Sequence, residues 1–262
     1  MTDELAGGKL RAMWKGVLTF DDVRLPVKLY SAVEDRNIRF RLLHGEDGVP
    51  VEQRMVNPRT GETIEYADAR RGLEVEPERF VIISPADLEA IEPAASRDIR
   101  ITRFVEPSRI NHQRYDRPYF LGPDENESSY YAFARALAKK EREGVARWVM
   151  RKKEYRGALR AREGHLVLIT LRHAGEVIPT SALEAPAGRD LDRKEREMGE
   201  KFIAALEEKF DPEQYRDEYR ERVARLIEIK RRGGTVEVQE YEEKEEPEEL
   251  LELLEASLAA VA

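Results

Sequence analysis

The chain contains no cysteine, which excludes a disulfide framework, thiolate metal ligands and a cysteine nucleophile. Its four histidines are scattered, without the H-E-x-x-H or H-x-x-E-H spacing of zinc sites. The sequence also lacks the nucleophile elbow G-x-S-x-G, a P-loop and a strand-linked G-x-G-x-x-G. No apolar run approaches the roughly 18 residues of a membrane span. We therefore expect no catalytic residue, no metal, no cofactor, no membrane partner and a cytoplasmic location.

Charged residues are abundant but unevenly distributed. The 262 residues are 41% hydrophobic and 37% charged, with a formal net charge of −8. Residues 233–262 hold ten glutamates and one lysine, so the body before them is close to neutral. Residues 135–172 hold twelve basic side chains and four glutamates. The acidic total therefore does not argue against a polyanionic partner for the body of the chain.

Strand patterns dominate from Trp14 to about Leu171. Residues 23–33 are rich in β-branched and aromatic side chains, and Pro26 within them indicates an edge strand or a bulge. Residues 38–42 alternate apolar and basic, which predicts a strand with Ile38, Phe40 and Leu42 on one face.

Two runs are continuously apolar and predict well-buried strands, at residues 80–83 and 165–171. Residues 45–48 and 58–61 have the composition of turns.

Helical spacing appears first at residues 126–143 and then takes over after Gly188. Asp211-Pro212 is typical of an N-cap followed by a first helical residue, and Gly233-Gly234 of a helix end. Pro247 can open a last helix over residues 248–261. The apolar stripe of the region between Gly188 and Gly233 contains Leu191, Met198, Phe202, Leu206, Tyr215, Tyr219, Val223 and Leu226.

Basic residues concentrate in two stretches, residues 39–71 and 147–153. Arginines on loops can contact phosphate oxygens without reading bases. From charge alone, a salt-bridged and solvated face is the alternative explanation.

Three motifs resemble those of the bacterial Ku proteins, the DNA-end-binding factors of non-homologous end joining. The first combines residues 14–20 (WKGVLTF) with 25–32 (LPVKLYSA). The second is residues 116–123 (DRPYFLGP), and the third is residues 210–220 (FDPEQYRDEYR). They follow the order of the family over roughly residues 10–232.

The resemblance implies a mixed α+β fold, in which a β-barrel core carries a bridge region and a C-terminal helical arm. It implies a homodimer whose two chains close a ring around a double-stranded DNA end, independently of sequence and without a cofactor. It also implies recruitment of the ATP-dependent end-joining DNA ligase, and nucleoid association at DNA breaks. The implied organisation is a leader (1–13), a barrel and bridge core (14–188), a dimerisation arm (189–232) and an acidic tail (233–262).

The expected site residues fall into three groups. DNA contacts are expected from Arg39, Arg41, Arg54, Arg59, Arg70, Arg71, Arg147, Arg151, Lys152 and Lys153. Dimer contacts are expected from Phe202, Leu206, Phe210, Tyr215, Tyr219, Val223 and Leu226. The third group comes from the leucine stripe of the tail and not from the resemblance: if the tail docks a partner, the contacts are expected from Leu250, Leu254 and Leu258.

Two features depart from the family pattern. Some relatives carry a cysteine pair in the bridge, whereas residues 55–61 contain none, which excludes a structural metal there. Many relatives end in a lysine-rich extension, whereas this tail is acidic and is repelled by phosphate. A solubilising disordered tail, a partner-docking helix and a DNA mimic that occupies the ring remain open.

A second class of function also remains open. The barrel can be a protein-interaction scaffold that works through its acidic tail, with an incidental basic face. An enzyme is supported by no motif.

Overall fold

Seven strands in the described part of the chain close into a barrel. The structure is a computed structural model that describes residues 10–183, 188 and 190–235. It divides into two units: residues 1–36 with 40–179, and residues 37–39 with 180–262. The predicted leader lies largely outside the described residues, and so do nearly all of the predicted tail and Leu250, Leu254 and Leu258 within it.

The strands and helices follow one another in a simple order. The strands are β1 (Trp14–Phe20), β2 (Val23–Ser31), β3 (Met55–Val56), β4 (Thr63–Ile64), β5 (Arg71–Glu76), β6 (Arg79–Ile83), β7 (Asp98–Val105), β8 (Tyr115–Pro123), β9 (Glu143–Met150), β10 (Lys153–Arg162) and β11 (His165–Leu171). The α-helices are α1 (Pro85–Ala90), α2 (Glu127–Lys140), α3 (Arg193–Ala205) and α4 (Glu218–Arg231).

The barrel has the strand order β1-β2-β8-β11-β10-β9-β7, and a parallel pairing of β1 with β7 closes it. Its interior is filled by residues that alternate along each strand, such as Leu25, Val27 and Leu29 of β2. The predicted burial of residues 165–171 is confirmed by β11, where Leu166 and Leu168 are fully buried. The α+β class with a barrel core and C-terminal helices is therefore confirmed.

Pro26 lies in a barrel strand, so its prediction as an edge or bulge residue was wrong. The ladder of β2 with β1 runs without a register shift past Pro26. On its other side β8 ends at Pro123, and the Asp124 N–H donates to the Pro26 carbonyl. The missing N–H of the proline therefore lies at the end of the neighbouring strand, where the loss of a ladder bond is tolerated.

Helix α2 confirms the helix predicted over residues 126–143, two to three residues shorter at its end. Asn126 caps it by accepting a hydrogen bond from the Ser129 N–H. Tyr130, Ala134 and Leu137 are buried on its inner face, at the spacing of successive turns. The Tyr130 hydroxyl donates to the Leu121 carbonyl and accepts from the Leu166 N–H at 2.9 Å, so α2 is joined to both β8 and β11.

Two hairpins, β3–β4 and β5–β6, lie between β2 and β7 in the chain. The predicted strand at residues 38–42 is wrong: these residues form no strand, and Phe40 and Leu42 are exposed. Residues 80–83 form the strand β6 as predicted, but the expected burial is wrong because Phe80 and Ile82 are each 58% exposed. Apolar content predicts burial only where a second layer covers the strand, and a two-stranded hairpin does not supply one.

The C-terminal unit contains α3 and α4. Asp192 and Glu195 form a capping box at the start of α3. Asp211 does accept a hydrogen bond as a cap, but only for the 3₁₀ turn 212–214, and α4 begins six residues later behind Asp217. The expected helix start at Pro212 is therefore corrected to Glu218.

The predicted arm residues are mostly exposed within one chain. Tyr215 is 72% exposed and Phe210 71%, and their rings stack on each other at 5.1 Å. Leu206, Tyr219 and Leu226 are also exposed, Phe202 is half-buried and Val223 is buried. Their role in a dimer stays a prediction. Among the described residues, no helix is long and apolar enough to cross a membrane.

Replacing Tyr130 with phenylalanine tests the link between α2 and the barrel. The change leaves the buried Leu166 N–H and Leu121 carbonyl without this partner, and we expect the free energy of unfolding to fall by about 1–3 kcal/mol. Urea denaturation at one fixed protein concentration measures it. The same change at exposed Tyr66 should shift stability by less than about 0.5 kcal/mol. Equal effects at the two positions would contradict the assigned link.

Candidate nucleic-acid interface

The β9–β10 hairpin ends in a two-residue turn formed by Arg151 and Lys152. Both residues have positive φ angles, 52° and 65°. Two-residue turns of this handedness favour Asn-Gly or Gly-Gly, because a β-carbon is strained there. The turn at the other end of β10 has the same pattern and uses Glu163-Gly164. The chain therefore holds two long basic side chains at a tip where local backbone energetics favours other residues.

The basic tip is supported from below by aromatic packing. The Lys153 ammonium lies 5.6 Å from the centre of the Tyr155 ring, and Tyr155 stacks on buried Trp148 at 5.4 Å. Gly157 makes room for this stack, since a β-carbon there would lie 2.7 Å from the Trp148 ring. The predicted contact residues 151–153 are thus held by the barrel core rather than by a free loop.

Lys152 has an intramolecular partner. Its ammonium lies 2.9 Å from a carboxylate oxygen of Glu92, which follows α1 in the chain. The Lys152 side chain is 69% exposed, so this pair contributes little to stability and can exchange for another anion.

A row of arginines crosses the outside of the barrel beside this tip. Arg147 of β9 lies directly opposite Arg100 of β7 on one side and Arg156 of β10 on the other. Directly opposite residues project from the same face of a sheet, and all three are exposed. Across β1, Thr19 is opposite both Arg100 and Arg24, which extends the row to β2. We name Arg24, Arg100, Arg147 and Arg156 the arginine row.

Carboxylates accompany the two ends of the arginine row. Glu154 of β10 lies 3.8 Å from Arg147 Nε and 2.9 Å from an Arg156 guanidinium nitrogen. Asp98 lies 3.2 Å from Arg24. Of the arginine row, the sequence predicts only Arg147 as a DNA contact. The row forms because strand register places residues that are far apart in the chain side by side, and the sequence of a single strand does not show this register.

The other predicted DNA contacts occupy three further places. Arg41 lies before the hairpins, in a stretch that forms neither strand nor helix, while Arg39 groups with the C-terminal unit. Arg54 directly precedes β3, and Arg59 lies in the loop between β3 and β4, where the Asn57 side chain accepts from the Arg59 N–H to shape the turn.

Arg70 and Arg71 stand at the start of β5, with Arg71 opposite Ile83. The structure therefore brings together Arg147, Arg151, Lys152 and Lys153 on one hairpin, and leaves the rest of the predicted contacts on separate segments.

A buried ionic cluster lies elsewhere on the barrel and was not predicted. The Glu143 carboxylate is almost fully buried, lies 2.7 Å from Arg160 and accepts from the Tyr115 hydroxyl at 2.7 Å. Burial, followed by the hydrogen bond to Glu143, raises the pKa of Tyr115 to about 12. Because its charge is paired and hydrogen-bonded, this cluster joins β8, β9 and β10 rather than offering a ligand site. In the described ranges, no group of three histidine, aspartate or glutamate side chains is arranged to hold a metal ion.

The barrel fold is that of a known family of proteins. The family model described as "Ku70/Ku80 beta-barrel domain" matches residues 19–202, more than half of the chain. The chain therefore belongs to the Ku family.

Relatives from both bacteria and archaea share this assignment. The chain is 36% identical to the "Non-homologous end joining protein Ku" of Anaeromyxobacter sp. (strain K), over 87% of this chain and 77% of the relative. It is 35% identical to the "Non-homologous end joining protein Ku 2" of Geotalea uraniireducens, over 87% and 88%. The protein of the same name, without a number, from Archaeoglobus fulgidus is 34% identical over 88% of this chain and 92% of its own length. These names bear out the resemblance that the three sequence motifs suggest.

Replacing Arg151 with asparagine and Lys152 with glycine tests whether the hairpin tip is strained. The pair suits positive φ at both positions, so we expect the free energy of unfolding to rise by about 1–2 kcal/mol, even though the pair with Glu92 is lost. Thermal or urea unfolding checks this. The matched comparison is Glu163→Asn, which relieves a positive φ at one residue of the turn at the opposite end of β10, where Gly164 already suits its own, so we expect a smaller rise there. A double variant that is less stable than the wild type would contradict the strain.

Proposed function

We propose that this chain binds the ends of double-stranded DNA, independently of sequence, as a ring-shaped homodimer in non-homologous end joining. The proposal includes recruitment of the ATP-dependent end-joining DNA ligase to the bound end. The observation that carries it is the match to Ku proteins named for non-homologous end joining, along most of both chains. The basic β9–β10 hairpin supplies the chemistry that such binding needs.

The chemistry of the hairpin tip suits the DNA backbone rather than base edges. Arg151, Lys152 and Lys153 follow one another at the end of two rigid strands. Guanidinium and ammonium groups of this kind neutralise phosphates and release condensed counterions, so binding depends on salt and not on sequence. The other predicted contacts, from Arg39 to Arg71, are proposed to add phosphate contacts from the hairpin region between β2 and β7.

The exposed apolar side chains of the arm support the proposal that a second copy of the chain covers them in a homodimer. Phe210 and Tyr215 form a stacked pair that is largely exposed in one chain, and Leu206 and Tyr219 are exposed beside them in sequence. Aromatic and aliphatic side chains exposed in this number are typical of a surface that a partner covers. Obligate dimers commonly bury more than about 2,000 Å² in this way.

Binding of this kind requires no bond to be made or broken in the DNA. Specificity for ends follows from topology, because a closed protein ring admits a duplex only where the duplex terminates. The proposed function therefore assigns no catalytic residue and no cofactor, and it places the protein in the cytoplasm, at the nucleoid when breaks are present.

Reversing the charge of the hairpin tip tests the DNA contact. The triple change Arg151→Glu, Lys152→Glu and Lys153→Glu should weaken binding to a linear duplex by at least tenfold, and it should lower the slope of log affinity against log salt by up to about 2.7. Fluorescence anisotropy at several stated salt concentrations measures both.

The matched control is the triple change Arg135→Glu, Lys139→Glu and Lys140→Glu on α2. Helix α2 precedes the first residue of β9, whereas the hairpin tip follows the last residue of β9. The length of β9 therefore separates the two sets of residues by roughly 25 Å. Unchanged affinity in the tip variant, with the dimer intact, would remove residues 151–153 from the DNA path. Equal losses in both triples would reduce the effect to net charge.

Truncation after Thr235 separates DNA binding from the scaffold alternative. It removes ten glutamates and one lysine but leaves α4 and the backbone hydrogen bonds of Gly233 and Gly234 in place. We expect DNA-end binding to be unchanged or tighter, because a repulsive segment is lost. Electrophoretic mobility shift at one salt concentration checks this. If neither form binds DNA and the truncated form loses a protein partner, the scaffold is supported and the DNA clamp is contradicted.

A further inference from the structure

We propose that the arginine row is a second phosphate-binding surface beside the hairpin tip, and that Glu154 limits its affinity by competing with phosphate for Arg147 and Arg156. The ligand is the phosphodiester backbone of the duplex. The inference rests on the proposed function, which it deepens by naming a surface and a residue that tunes it.

The register of the barrel carries the first step. Like charges directly opposite one another on neighbouring strands destabilise a sheet. Arg100, Arg147 and Arg156 occupy such positions on three adjacent strands, β7, β9 and β10. At the usual spacing between strands their backbones span only about 10 Å. A cluster of this density is best neutralised by a dense line of anions, and a duplex presents one phosphate charge per roughly 1.7 Å of its axis.

The intramolecular counter-charges leave this cluster under-neutralised. Glu154 is shared between Arg147 and Arg156, at 3.8 Å and 2.9 Å. Arg100 has no carboxylate within 4.0 Å among the residues that the structure describes. The row therefore keeps positive charge available on rigid strands, without any loop that must first be ordered.

The second step concerns Glu154 itself. The guanidinium side chains that it contacts are about half exposed, at 53% for Arg147 and 44% for Arg156, so water can compete for both pairs. Exposed pairs of this kind exchange readily. A phosphate that approaches either arginine must displace Glu154 or remain beside its negative charge, and both lower the affinity.

The position of the row relative to the tip is consistent with one continuous track. Arg147 of β9 precedes the turn residue Arg151 by four residues, about 13 Å along the chain, with Val149 between them on the outer face. A DNA strand whose phosphates contact the hairpin tip therefore places neighbouring phosphates within reach of the arginine row.

The test is the neutral and nearly isosteric change Glu154→Gln. We expect the affinity for a linear duplex to rise at least threefold over the wild type, and the salt slope to steepen by about 0.9, as one further phosphate contact forms. The matched control is Glu163→Gln, which removes the same charge at the opposite end of β10, where Glu163 lies 3.4 Å from exposed Arg162. The intact dimeric protein is used throughout, with the same duplex and the same salt series.

A gain in Glu154→Gln over Glu163→Gln supports the inference. Equal affinities of the two variants, or weaker binding by Glu154→Gln, would overturn it, because Glu154 would then be irrelevant to phosphate or would position the arginines for it.

Arg100→Gln tests the row independently of Glu154. This change should lower the salt slope by about 0.9, whereas Arg162→Gln, outside the row, should leave it unchanged. Equal slopes in these two variants would remove the row from the DNA path. If the wild-type protein binds no linear duplex, the proposed function is overturned. If the wild type binds but each variant behaves like its matched control in affinity and salt slope, only this inference is overturned.

Discussion

Closure of the barrel is the constraint on which the rest of the structure depends. The parallel pairing of β1 with β7 joins the first strand to a strand that follows about 80 residues later. This pairing removes both edges of the sheet. It brings Arg24 and Arg100 to either side of Thr19, and it allows the hairpins between β2 and β7 to be inserted without interrupting the core. An ordinary structural requirement thus sets the register of a basic surface.

Stability and function place different demands on the β9–β10 hairpin. Its base is a packed core element, in which Trp148 is buried and stacks on Tyr155. Its tip carries positive φ angles at Arg151 and Lys152, and its outer face places like charges side by side. Both are local costs that the core supports. Such conflicts between local energetics and residue choice are expected at binding surfaces, and this hairpin contains two of them.

The sequence predicts strands and helices well where their apolar residues are buried within the same chain. The strand β11 and the helix α2 were recognised because their apolar faces are buried within the barrel unit. The same reasoning failed at Ile82 and Phe40, whose side chains are exposed. A hydrophobic pattern predicts that a face of an element will be buried. It does not identify the element or the partner chain that buries it. The basic hairpin tip could be predicted because its residues are consecutive in the sequence. Arg100 and Arg156 lie beside Arg147 only because of strand register, which no short stretch of sequence specifies.

Threading of a DNA end is the central claim, and it is tested most directly with one duplex in two forms. The purified protein is mixed at one stated salt concentration with a linear duplex and with the same sequence covalently closed into a circle. The account predicts binding to the linear form alone, and loss of that binding when bulky groups block both ends. Equal binding to the linear and circular forms would contradict the account, because an open basic surface would then explain the affinity without any ring.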